Sequence, residues 1–365
     1  MPNPASALDQ ARKDRLTEAM AEQGWDMLLA VGNPWRCDFL GYASGFTTLE
    51  GQAFALIDAS GGVELIVDSP AEATRATAEN PNIKASWAAD PVGAVAERMK
   101  TLGNRTLAVA PRDLLPHGLS GLAGTDEMAD GTLVVDRLMI RKLPAEIEAV
   151  RKAARLADEG YAAFREASRP GIREYELTAA PETYFRSRGC AEHFMILGSG
   201  GPEVRGMHPP GTRMLQAGDM VTTELTPAVE GYYAQLCRTL VIGTPTAEQQ
   251  KAFDVYREAM DVGIAKVAPG VTAGEVATAE NDIFRREGLG DYVTSEYTRV
   301  RGHGLGLYVD GRPAILEDVE MVLEPGMTLI VHPNTFNPVV GYVVLGDTVL
   351  VTETGCEVLT ETPAE

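Results

Sequence analysis

A carboxylate and a carboxamide in one alternating stretch are where this chain first suggests chemistry. The stretch is GDMVTTELTPAVEGYYAQLCRTLVIG, residues 218–243. Its alternation of apolar and polar residues reads as two β-strands joined by a tight turn near Val229–Gly231. A turn centred there sets Glu224 about opposite Gln235, with both side chains on one face of the hairpin. A carboxylate beside an amide on a sheet face describes a site better than a core.

The rest of the chain must position that hairpin. At 365 residues, with 45% hydrophobic and 23% charged residues, it is long enough for two domains with buried cores. The net charge of −20 argues against nucleic acid and anionic membrane as partners, since both call for basic patches. Four cysteines, Cys37, Cys190, Cys237 and Cys356, form no CxxC pair, so neither a zinc knuckle nor a disulfide framework is indicated. No apolar run reaches the ~20 residues of a membrane helix, and the opening residues lack a basic-then-apolar leader pattern. Cytoplasmic placement is the expectation.

Along the chain, a helix over 6–23 precedes strands at Asp26–Val31, Ala53–Asp58, Val63–Val67, Thr106–Val109 and Thr132–Val135. Helices at Pro70–Asn80 and Pro91–Leu102 fall among these strands. This alternation predicts an α/β domain ending near Lys142, residues 1–142. No GxGxxG follows the first strand, which argues against a dinucleotide site there. A second unit, 143–365, opens with Pro144 at the first turn of a long amphipathic helix. Two helix pairs follow one pattern, each joined by a Pro-Gly stop, at SRPGIREYEL and VAPGVTAGEV. They read as a twofold repeat with a site at its centre.

KLPAEIEAVRKAARLAD, the PG-joined helix pairs, GYYAQLCRT, RGHGLGL, LEPGMTL and GDTVLVTETG together resemble the M24 family. This is the pita-bread fold of methionine and Xaa-Pro aminopeptidases, creatinase and ectoine hydrolase. The resemblance implies an α/β (α+β) architecture: a pita-bread C-terminal domain with an internal twofold repeat, after a smaller creatinase-type N-terminal domain. It places the five ligands of the peptidases' two metals at Glu224, Gln235, His303, His332 and Gly346. Of these positions only His303 keeps its residue type. Two adjacent cations need anionic bridges, and Gln235 and Gly346 supply none, so no cofactor is expected. The alternative is one divalent transition metal on Glu224, His303 and His332, a two-histidine, one-carboxylate set.

The resemblance to creatinase and ectoine hydrolase then implies metal-independent hydrolysis of a C–N bond in a small polar non-peptide metabolite, such as a cyclic amidine, amide or ureido compound. His208, in GSGGPEVRGMHPPGTR, takes the position of creatinase's histidine and would activate water. Glu224 would stabilise a cation or attack as nucleophile, and His303 and His332 would donate to the developing oxyanion. Tyr233 and Gln235 would orient the substrate. Arg301 and Arg312 are candidates for bidentate carboxylate binding, which predicts an anionic or zwitterionic substrate. Creatine itself is a poor fit, because Leu49-Glu50-Gly51 offers no arginine for its carboxylate. A mononuclear or aminopeptidase-like hydrolase, a lyase and a non-catalytic binding protein are the rival readings. The family also implies a homodimer in which the N-terminal domain completes the partner's pocket, with Arg36, Asp38 and Phe46 as lid candidates.

Overall fold

The computed structural model describes residues 4–120 and 128–364, with side chains from residue 10 onward; the first three residues of the segment read for a leader lie outside them. The chain divides into two units between Met139 and Ile140.

The N-terminal unit runs α1 (Pro4–Gln23), β1 (Met27–Gly32), α2 (Asp38–Ser44), β2 (Ala53–Asp58), β3 (Val63–Val67), α3 (Pro70–Glu79), β4 (Lys84–Trp87), α4 (Pro91–Lys100), β5 (Leu107–Ala110), β6 (Ala129–Asp130) and α5 (Thr132–Ile140). Its sheet has the order β4-β3-β2-β1-β5-β6. Strand β1, MLLAVG, is buried at every position because β2 flanks it antiparallel and β5 parallel. Helices α3 and α4 start alike: the Ser69 and Asp90 side chains accept from the amides of Glu72 and Gly93, and proline opens each first turn.

Residues 132–135, expected as a strand, are instead the first turn of α5. Asp130 Oδ1 accepts from the Thr132 amide at 2.9 Å, and the Val135 amide bonds Gly131 O. Local capping therefore overrides the β-preference of the Leu133-Val134-Val135 run. The lid candidates lie on and around α2. Asp38 and Phe46 are buried within this unit, and Arg36 bonds Asp38 at 2.8 Å. Trp35, 89% exposed, is the large apolar side chain of that loop that faces solvent.

The C-terminal unit begins with α6 (Pro144–Ala167), α7 (Glu174–Ser187), β7 (His193–Gly200), β8 (Met220–Val229), β9 (Tyr232–Tyr233) and β10 (Leu236–Val241). It continues with α8 (Ala247–Lys266), α9 (Ala273–Arg286), β11 (Gly302–Gly304), β12 (Gly311–Ala314), β13 (Thr328–Val331), β14 (Asn334–Asn337), β15 (Gly341–Val344), β16 (Asp347–Val351) and β17 (Cys356–Val358). The two helix-pair joints are one structure built twice. Gly171 and Gly270 both have φ 86°, a left-handed conformation that favours glycine. Their amides bond Leu215 O and Leu323 O at 2.8 and 3.0 Å, and the amides of those leucines return to Ile172 O and Val271 O, each at 2.8 Å. Each pair leads into a sheet, β10-β8-β7 with β9 beside β8, and β12-β11-β13-β16-β17. Among the described residues no helix is long and apolar enough to cross a membrane.

The two sheets meet where Cys237 and Gly346 exchange backbone hydrogen bonds of 3.0 and 2.9 Å. Thr348 Oγ1 reinforces the junction, accepting from the Gln235 amide at 2.9 Å and donating to Gln235 O at 2.7 Å. No side chain fits at 346: a Cβ there would lie 2.4 Å from His332 Cβ and 2.9 Å from Val331 O. Gly346→Ala is therefore expected to lose about 2–4 kcal/mol of stability by overpacking. Gly355→Ala, where a Cβ meets nothing within 4 Å, should stay within ~0.5 kcal/mol of the parent. Urea unfolding of the two variants checks this, and equal midpoints would contradict it.

Candidate active site

Glu230 and Gly231, at φ 54° and 80°, form a two-residue turn with both residues left-handed, the geometry that matches strand twist. The turn therefore centres one residue later than the sequence suggested. Glu224 pairs with Cys237 and not with Gln235. Moving a turn's centre by one residue moves the pairing by two, so the face is unchanged. Gln235 remains a diagonal neighbour of Glu224 on that face, and its Nε2 donates to Cys237 Sγ at 3.4 Å.

That face lines a cavity of about 420 Å³. Glu224 and Gln235 enter it from the first sheet and its hairpin. His303 comes from β11, and His332 from the end of β13. Arg299, Tyr308, Asp310, Asn334 and Tyr342 complete its polar lining. Four of the candidates from sequence thus meet in one place, and four do not. His208 is exposed beside the cavity-lining Met207, with Nδ1 donating to Pro209 O at 2.8 Å. Tyr233 donates its hydroxyl to Glu192 at 2.7 Å. Arg301 is buried and bonds Asn281 Oδ1 and Asn334 O, so it braces the site from behind and does not face substrate. Arg312 is exposed on β12, outside the lining. The cation among the lining residues is Arg299, 2.9 Å from Asp310. Sequence reasoning missed it, together with Asn334 and Tyr342, because none of the three sits in a motif with a chemical signature.

Burial pushes the Glu224 carboxyl up to about 7, against the opposing pull of Arg299. Burial also lowers His303, and it lowers His332 well below the usual imidazole range with the neighbouring His303 adding to the effect. Both rings are therefore neutral near pH 7, with centroids 5.3 Å apart. His303 Nδ1 lies 3.0 Å from Gly304 O. A carbonyl only accepts, so Nδ1 carries the proton and Nε2 keeps its lone pair.

These residues do not fit a two-metal centre. Gln235 Nε2 is a donor engaged with a thiol, Gly346 has neither a side chain nor room for one, and a neutral amide cannot bridge two cations. Among the described residues, no three His, Cys, Asp or Glu side chains are grouped as metal ligands would be.

The model of metallopeptidase family M24 matches residues 148–353, more than half of the chain. The chain belongs to this family. It is 31% identical over 234 residues to the Xaa-Pro dipeptidase of Pyrococcus furiosus, a match covering 64% of this chain and 66%, a little under two thirds, of that protein. Its fold superposes on the prolidase of Pyrococcus horikoshii with a TM-score of 0.84 at 27% identity, covering 97% of this chain and 99% of that one. A Xaa-Pro dipeptidase from Bacillus anthracis gives 0.83 at 26%, covering 98% and 99%.

The pita-bread fold is as the resemblance implied, but its creatinase and ectoine hydrolase side is corrected, because these relatives are peptidases. Metal-independent cleavage of a non-peptide metabolite by His208 is overturned with it, and so is the expectation of no cofactor, since the family is one of metallopeptidases. In such enzymes bound divalent ions polarise the scissile carbonyl and activate water. The cage for a pair of them is what this chain has altered.

The raised Glu224 value has a consequence for stability. The unfolded carboxyl ionises near its ordinary 4.5, while the folded one holds its proton to about 7. Folding stability should then fall as pH rises through that window, by up to about 3 kcal/mol. Glu224→Gln should abolish this loss, raising Tm at pH 8 but not at pH 4. An unchanged Tm at pH 8 would contradict the assignment.

Proposed function

We propose that the protein hydrolyses the amide bond of a dipeptide-sized substrate in this cavity, with Xaa-Pro dipeptides among the candidates. The observation that carries the reading is the convergence of Glu224, His303 and His332 on one cavity at the centre of an M24 unit. The named activity of the relatives supports it. Glu224, titrating near 7, is matched to neutral pH: ionised, it takes a proton from the attacking water, and protonated, it returns one to the leaving nitrogen. The Nε2 lone pair of His303 accepts a hydrogen bond from that water or from the substrate's amino group. Arg299, largely exposed and paired on one side with Asp310, is placed to receive the substrate's carboxylate.

The test is a mass-spectrometric screen of dipeptides, Xaa-Pro and others, run with and without added Mn²⁺ or Zn²⁺. Turnover of at least one dipeptide is expected. Glu224→Gln should lower kcat by ~10²-fold or more, the usual cost of losing an acid–base group, while His208→Ala stays within a few-fold of the parent. Intact dipeptides under every condition, with the protein folded, would overturn the reading.

A further inference from the structure

Asn334 is a cavity residue whose amide orientation its neighbours settle, its two N–H protons being shared among three acceptors. Its amide nitrogen lies 2.8 Å from each of Val300 O, His332 O and His332 Nδ1. Its amide oxygen receives the Tyr342 hydroxyl at 3.1 Å and the Thr298 hydroxyl. Two of the nitrogen's neighbours are carbonyls, which only accept, so the NH₂ and not the oxygen must face them. The same NH₂ then faces His332 Nδ1. A proton on Nδ1 would point at another donor, so Nδ1 is the acceptor and the ring's proton sits on Nε2. Arg301 steadies the arrangement by donating to Asn334 O.

We propose that Asn334 locks His332 in the Nε2–H tautomer, so that this imidazole enters the cavity as a hydrogen-bond donor to a substrate oxygen and not as a metal ligand. A ligating histidine must offer a lone pair, and the only ring nitrogen left to the cavity here is an N–H. The lock works with Gly346, whose missing side chain leaves the space that His332 fills. The pair of histidines is therefore polarised, His303 presenting a lone pair and His332 a proton. The group this recognises is an oxygen acceptor, a scissile carbonyl or a carboxylate, next to a donor such as an amine or water. Asn334 acts through His332 and is a positioning residue. The substrate half of the proposal rests on the dipeptidase reading, but the tautomer half does not.

Long-range ¹H–¹⁵N NMR of the intact protein reads the tautomer directly, and with five histidines in the chain assignment by single substitutions is practical. Wild-type His332 is expected to show a pyridine-type Nδ1 and a pyrrole-type Nε2. In Asn334→Asp a carboxylate replaces the donor and the pattern should reverse, with a gain of ~10-fold or more in Zn²⁺ affinity, the scale on which changes to a ligand's hydrogen-bond partner act. A protonated Nδ1 in the wild type, or an unreversed pattern in Asn334→Asp, overturns the proposal. If Asn334→Asp does not fold, adding Zn²⁺ to the wild type decides: unmoved His332 resonances support the lock, and shifted ones overturn it. On the substrate side, His332→Gln, which keeps a donor, should retain within ~10-fold the kcat/KM that His332→Ala loses. Equal losses in the two variants would overturn that half. Failure to cleave any dipeptide would sink the functional reading and leave the tautomer result standing.

Discussion

The backbone bridge between Cys237 and Gly346 is the constraint on which the site depends. It joins the two sheets of the repeat at one point. Arg238, 1% exposed, is spent on holding that point: its guanidinium donates to Cys237 O at 2.9 Å, Gly346 O at 2.8 Å and Asp347 Oδ1 at 2.7 Å, and to Thr362 O. A buried charge needs such bonding, here through both terminal nitrogens while Nε has no partner, and removing an acceptor would be costly. Cys237 is the cross-strand partner of Glu224, while Gly346 lies against His332. A single junction thus sets the distance between the carboxylate and the imidazole that face each other across the cavity.

The same junction accounts for what the chain has done to its family's site. A side chain at 346 would collide with the Cα and Cβ of His332, so glycine there lets this residue pass. The amide of Gln235 turns to Cys237, and Asn334 takes the Nδ1 of His332. These substitutions are mutually consistent, as expected when a polar network is rebuilt with its partners satisfied. What remains is a cavity in which one buried carboxylate and two neutral imidazoles stand beside the Arg299–Asp310 pair. Their shifts come from burial first, followed by Arg299 for Glu224, the Gly304 carbonyl for His303 and His303 for His332.

Much of the architecture was legible because it follows from local rules. The Pro-Gly joints announced the repeat, and both are closed by the same φ and the same leucine hydrogen bonds. Strand alternation placed Glu224 and Gln235 on one face even though the pairing was off by two, because a period of two forgives an even error. The α5 segment misled because the cap at Asp130 counts for more than three β-preferring side chains. Within the site, residues in motifs with a chemical signature were found, and residues defined by long-range geometry were not. Arg301 was read as a substrate contact and lies behind the cavity, while Arg299, two positions earlier, lines it. Asn334 had no signal at all, since its role exists only once Tyr342, Thr298 and Val300 surround it.

The central claim is that a substrate oxygen accepts from His332 while the substrate's carboxylate meets Arg299, and a structure of the protein with a phosphinic dipeptide analogue tests it most directly. The account predicts a phosphinyl oxygen within hydrogen-bond distance of His332 Nε2, with Glu224 on the second oxygen and the analogue's carboxylate at Arg299. An analogue held elsewhere, for example in the 300 Å³ hollow beside Tyr161 and Phe253, or held by a pair of metal ions in the cavity, would contradict it.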